Sequence, residues 1–135
     1  MSVVEPEIEL TVAADRAAAC EARHAMAGCG LVAADQEPTL LLLVSELVSN
    51  SVRHAGMDAD ERIRLRARSA DARAYVEVCD AGRSGRVPAK RATKIDALEP
   101  GGLGLVLVDE MADRWGVHHG DDEVCVWFEL ASAGG

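Results

Sequence analysis

Between residues 61 and 69 apolar and charged side chains alternate without a break. Ile63, Leu65 and Ala67 fall on one side and Arg62, Arg64, Arg66 and Arg68 on the other. A period of two with this contrast is a strand with one buried and one solvated face. Four arginines in a row cannot be packed under a second layer without partners for each charge. The sheet that contains this strand is therefore covered on one side only.

The rest of the chain supplies the other parts of such a sheet. Ile8 to Val12 alternates in the same way, and Ala74 to Asp80 follows the arginine strand after a short polar connection suited to a hairpin. Trp115 to His119 and Val124 to Leu130 read as two further strands joined by a turn at Gly120, Asp121 and Asp122. Three stretches have helical character. Asp15 is placed to cap an alanine-rich helix running to about Met26, with Gly28 and Gly30 marking its end. Pro38, preceded by Asp35 and Glu37, opens a second helix that runs to Ala55 and stops at Gly56. Leu103 to Arg114 is the third. The order β-α-α-β-β-loop-α-β-β predicts an α/β (α+β) two-layer sandwich, a mixed, mostly antiparallel sheet with helices on one face. At 135 residues, 49% hydrophobic and 27% charged, with no internal repeat or composition break, the chain reads as one domain over residues 1–135.

Composition removes several functions. A net charge of −9 disfavours direct binding to nucleic acid or to an anionic membrane. Four aromatic residues, Tyr75, Trp115, Trp127 and Phe128, are too few for a base-stacking platform. No run approaches the roughly 18 consecutive apolar residues of a membrane span, and Met1 to Glu7 lacks the basic and apolar regions of a secretory signal. Cys20, Cys29, Cys79 and Cys125 form no C-x-x-C pair, so the expectation is four buried thiols in a reducing cytoplasm.

Three segments carry candidate chemistry. On the second helix Glu46, Asn50 and Arg53 stand at i, i+4 and i+7, one stripe beside the apolar positions Leu40, Val44, Leu47 and Val48. A solvated polar face explains that spacing more simply, although asparagine is a mediocre helix former unless its amide is used. At the end of a strand stand Asp80, Ala81 and Gly82, where a carboxylate able to accept from an exocyclic amine emerges beside a residue with no side chain. By itself this is also ordinary turn chemistry. The run Gly101, Gly102, Leu103, Gly104, Leu105 enters the third helix and offers bare N–H groups and a helix N-terminus to a phosphate. The long segment before it, residues 81 to 102, carries Arg83, Arg86, Lys90, Arg91 and Lys94 against Asp96 and Glu99, a basic loop that suits a polyphosphate. A dinucleotide fingerprint fails because Leu107 stands where its third glycine belongs, and no Gly-Lys pair exists for a P-loop.

Taken in order, the segment from Glu46 through Asn50 to Gly56, the segment Asp80 to Gly82, and the segment Gly101 to Asp109 resemble the N, G1 and G2 boxes of the GHKL ATPase superfamily. Asp113 to Gly116 and Val126 to Leu130 resemble its actinobacterial anti-sigma-factor and serine/threonine-kinase subgroup, so the likeness covers nearly the whole chain. The resemblance implies a Bergerat ATP-binding fold with ATP and Mg²⁺ as cofactors. It implies that Glu46 is the general base, that Asn50 is the Mg²⁺ ligand, and that Asp80 and Gly82 receive adenine. It further implies that Gly102, Leu103, Gly104 and Leu105 line the phosphates and that Arg53 and His54 belong to the nucleotide site. A helix-terminal cap is the plainer reading of His54. Relatives commonly carry Gly-Lys-Thr ahead of the final Val-Trp, where this chain has Glu123, Val124 and Cys125; Cys125 is thereby placed at the adenine-supporting threonine.

The 45 residues ahead of Glu46 leave no room for the dimerising helices of a sensor histidine kinase, and His24 is followed by alanine. The expectation is a stand-alone regulator. By resemblance it is a cytoplasmic homodimer that sequesters a sigma factor and phosphorylates a STAS-domain anti-anti-sigma antagonist. The alternative is a catalytically weak, ATP-responsive binding module. The arginine row could dock an acidic partner, although a soluble outer sheet face accounts for it more simply.

Overall fold

The computed structural model describes residues 7–55, 62–70, 73–80, 103–119 and 123–131. The expected turns at 56 and 120–122, the basic loop, Gly82 and Gly102 lie outside them. Five strands, β1 (Glu7–Ala13), β2 (Arg62–Ala70), β3 (Arg73–Asp80), β4 (Arg114–His119) and β5 (Val124–Ala131), form one sheet in the order β1-β2-β3-β5-β4. Helices α1 (Ala18–Met26), α2 (Glu37–Ala55) and α3 (Leu103–Met111) complete the element order expected from the sequence. All four ladders among the described residues are antiparallel, so the expected mixed sheet is corrected to a purely antiparallel one.

The alternation in β2 works as its pattern requires. Ile63, Leu65 and Ala67 are buried with Val76, Val78, Val126 and Phe128 of the neighbouring strands, and Leu40, Leu43, Val44, Leu47 and Val48 of α2 join the same core. This is an α+β sandwich with helices on one sheet face. Gly28 and Gly30 after α1 adopt φ of 76° and 78°, conformations open to glycine and costly for other residues. The Gly28 N–H donates to Glu37 Oε2 at 2.8 Å, tying the end of α1 to the start of α2.

Two boundaries differ from expectation for local reasons. Asp15 accepts from the Ala17 N–H at 2.9 Å and so shapes the turn before α1, while the cap position itself is Ala17. Helix α3 stops at Met111 and not at Arg114, because the Asp113 N–H already donates to the Glu129 carbonyl and its carboxylate accepts from the Ala131 N–H. Trp115 then anchors β4 to α3 by donating its indole N–H to Asp109 Oδ1 at 2.9 Å.

On the outer face most of the arginines are matched within the chain. Arg64 meets Glu123 at 3.1 Å, Arg66 meets Glu77 at 3.9 Å, and Arg73 and Arg114 lie 3.7 and 3.8 Å from Glu129. Of these, the Arg64–Glu123 pair is exposed on both sides and contributes roughly 0–1 kcal/mol, whereas Glu77 and Glu129 are mostly buried and their arginines compensate carboxylates withdrawn from water. Arg68 sits 4.9 Å over the Tyr75 ring, and Tyr75 stacks on Trp127 with ring centroids 5.8 Å apart. The four-cysteine expectation is corrected here. Cys79 and Cys125, directly opposite across β3 and β5, form a disulfide, Cys20 is exposed and Cys29 is half-buried. A separation of 46 residues leaves no local sequence signature of this pairing; the strand register alone creates it.

Trp127 lies across β4 at Gly116, where an added Cβ would sit 2.9 Å from the indole Cζ2. Gly116→Ala is expected to destabilise the fold by about 1–3 kcal/mol, read from denaturant unfolding followed by tryptophan fluorescence; an unchanged midpoint would contradict this packing. Burial, then the Glu77 carboxylate, raises the pKa of Tyr75 against the opposing pull of Arg68 and Arg66. The neutral phenol is thus favoured by folding. Its stabilisation is full below the ordinary tyrosine pKa of about 10 and is lost as pH rises through the folded value. Because Tyr75 is the chain's one tyrosine, tyrosinate absorbance reads it directly, and a folded-state midpoint at or below about 10 would refute the burial effect.

Candidate functional site

Helix α2 forms because its apolar residues recur at helical spacing, with Leu40, Leu43, Val44, Leu47 and Val48 all fully buried. Glu46 and Asn50 occupy one flank of that stripe, a single turn apart. Their surroundings differ in a telling way. Glu46 is half-buried, Asn50 is 3% exposed and Arg53 is exposed. Polar groups withdrawn from water beside a leucine and valine core cost stability unless they are used. The plain solvated-face reading of this stripe therefore fails at Asn50.

Strand β3 is the central strand of the sheet, and Asp80 is its last residue. Alternation assigns Asp80 to the helix-covered face together with Val78 and Val76, while Cys79 and Glu77 take the outer face. Asp80 is half-buried and is engaged in an interaction of its own. Helix α2 packs against β3 on one side and against α1 and α3 on others. It therefore links the strand that ends in Asp80 to the helix that begins at Leu103. Leu103 and Gly104 form the first turn of α3, and Leu105 is buried at 5% exposure, so Leu105 serves as a packing residue that seats the helix. His54 lies in the last turn of α2. Gly82 and Gly102 are outside the described residues.

Cys125 does not belong to this group. It pairs with Cys79 in register and is bonded to it, on the face opposite Asp80. The residue that stands across from Asp80 is Val124, 8% exposed. Cys125, expected at the adenine-supporting position, thus lies on the face away from Asp80, and Val124 is the residue of β5 opposite Asp80, on the same face. A shift of one position in an antiparallel strand exchanges the two faces, which motif spacing alone does not resolve.

The donor set on the helix-covered side fits a magnesium nucleotide. The Asn50 carboxamide offers a hard oxygen of the kind Mg²⁺ takes, the Asp80 carboxylate is able to accept hydrogen bonds from an amine, and the buried Val124 and Val126 stand on the same sheet face as Asp80. Residues 8–130 match the sequence model of the family described as the histidine kinase-like ATPase domain. The chain belongs to that family. The α+β fold with its five-stranded antiparallel sheet agrees with a Bergerat ATPase fold, and membership makes ATP binding the domain's general chemistry. No curated protein sequence matches the chain. Among the described residues no helix is long and apolar enough to cross a membrane.

If Asn50 is retained for a ligand and not for the fold, Asn50→Leu leaves the unfolding midpoint unchanged or raises it. A loss of about 1–3 kcal/mol in denaturant unfolding would instead mark the amide as a structural hydrogen-bonding group.

Proposed function

We propose that this chain is an ATP-binding anti-sigma factor with serine/threonine protein kinase activity, acting on a STAS-domain anti-anti-sigma antagonist. The observation that carries the reading is a buried carboxamide, Asn50, one turn from the half-buried carboxylate Glu46, on the helix packed against the strand that ends in Asp80. When bound, Mg·ATP supplies the phosphoryl group and the metal disperses its charge. The chain's own groups divide the remaining work. Asp80 accepts a hydrogen bond from the adenine amine and so selects the base. Asn50 orients the metal through its amide oxygen. Glu46 accepts the proton of the attacking serine or threonine hydroxyl, a task for a carboxylate within hydrogen-bond reach of the nucleophile.

The choice of partner rests on the resemblance of Asp113 to Gly116 and Val126 to Leu130 to the anti-sigma subgroup. The same resemblance supports a homodimer and a cytoplasmic location. Its test is transfer of labelled γ-phosphate to STAS-domain proteins. Glu46→Ala is expected to lower transfer by about a hundredfold or more while nucleotide affinity stays unchanged. Wild-type transfer by that variant would reject Glu46 as the base.

One observation favours a second reading. Val124 brings no hydroxyl to the position across from Asp80, which removes one polar support for the adenine ring. On that reading the chain is a catalytically weak module whose hold on a sigma factor responds to ATP. Val124→Thr separates the two: a marked gain in ATP affinity supports the weakened switch, and no gain supports the kinase.

A further inference from the structure

The outer sheet face gathers four metal-ligating side chains around the disulfide. Cys79, Cys125 and His118 stand side by side on β3, β5 and β4, since Cys79 pairs with Cys125 and Cys125 pairs with His118. Glu77 precedes Cys79 by two positions on the same face, and its Oε2 lies 3.0 Å from His118 Nε2. The ligand atoms of Glu77, Cys79 and Cys125 all fall within 4.8 Å of one another. The group is largely closed to water: Glu77 is 8% exposed and each cysteine 2%, with the more exposed His118 at its rim.

We propose that the reduced chain binds one Zn²⁺ through Cys79 Sγ, Cys125 Sγ, His118 Nε2 and Glu77 Oε2, and that the Cys79–Cys125 disulfide is the metal-free state of this site. Two thiolates, an imidazole and a carboxylate are a donor set that zinc takes with tetrahedral geometry, at about 2.0–2.3 Å from each ligand. The softness of the two sulfurs disfavours Mg²⁺ and Ca²⁺. Neighbouring groups suit the bound state. Arg66 lies 3.9 Å from the other Glu77 oxygen, Oε1, so it orients the carboxylate, while Oε2 and His118 Nε2, now in contact with each other, turn to the metal when it binds. Two thiolates and a carboxylate exceed the charge of Zn²⁺ by one, and the Arg66 guanidinium offsets that excess.

A dithiol reductant delivers two electrons and two protons to the disulfide and becomes a disulfide itself. The two cysteine thiols then each release a proton as their sulfurs bind Zn²⁺. In reverse, a disulfide oxidant takes two electrons from the two thiolates and two protons from solvent to become a dithiol, the Cys79–Cys125 bond re-forms, and Zn²⁺ leaves. The site faces away from Asp80, so zinc and nucleotide occupy opposite faces of the sheet. It is independent of the proposed kinase activity.

The test uses the full chain with Cys20→Ser and Cys29→Ser, reduced by a phosphine, freed of reductant without air, and titrated with Co²⁺ as the probe. The expected result is one Co²⁺ per chain, with thiolate-to-cobalt charge transfer and tetrahedral ligand-field bands that Zn²⁺ abolishes by displacement. The oxidised protein shows neither. Cys125→Ser lowers the charge-transfer intensity per Co²⁺ by about half or abolishes binding, and His118→Ala and Glu77→Gln each weaken binding about tenfold or more. If reduction unfolds the chain, recovery of its native circular dichroism on adding Zn²⁺ supports the site, and no recovery overturns it. A reduced, folded chain that takes up no Co²⁺ overturns it as well. So does uptake that is unaffected by His118→Ala, or uptake that is equal in the oxidised protein.

Discussion

The register of β3 against β5 is the constraint on which the rest of the structure depends. With Cys79 opposite Cys125 and Asp80 opposite Val124, one carboxylate is delivered to the helix-covered face and one sulfur pair to the outer face. A slip of one residue would flip one strand relative to the other, part Cys79 from Cys125, and turn either Val76 and Val78 or Val126 and Phe128 out of the core. The apolar face and the disulfide hold the same register by different means, one by burial and one by a covalent bond. Because β3 is the central strand, that register also sets where β2 and β4 lie.

From this follows a division of labour between the two faces. The helix-covered face buries aliphatic side chains and carries a small number of polar groups along its edge, Asn50 and Glu46 from α2 and Asp80 from β3. Such a site asks rigid elements to hold the groups that bind and react, and the sequence between Asp80 and Leu103 is rich in arginine and lysine. The outer face is charged but internally compensated. Glu77 and Glu129 each serve more than one basic neighbour, and Arg68 covers Tyr75. This compensation weakens the case for the arginine row as a dock for an acidic partner.

Much of the fold was legible in the sequence because its signals are local. The alternation of Ile63, Leu65 and Ala67 with arginines, the helical spacing of the α2 leucines and valines, and the glycines after α1 each announce an element without knowledge of its neighbours. The candidate site was legible to the same extent: Glu46 and Asn50 share a face by helical geometry, and Asp80 ends a strand. What was hidden depends on pairing between distant segments. The Cys79–Cys125 bond, the choice of Val124 over Cys125 as the residue facing Asp80, the early stop of α3 where Asp113 joins Glu129, and the need for Gly116 under Trp127 all arise from strand neighbours remote in sequence.

The proposed nucleotide site on the helix-covered face, with Asp80 reading the base and Asn50 holding the metal, is open to calorimetric titration of ATP, with and without Mg²⁺, into the wild type and into Asp80→Ala. Mg²⁺-dependent binding at one site per chain is expected, lost in Asp80→Ala while the variant stays folded. Equal binding by the variant and the wild type, or no binding by a folded wild type in the presence of Mg²⁺, would contradict it.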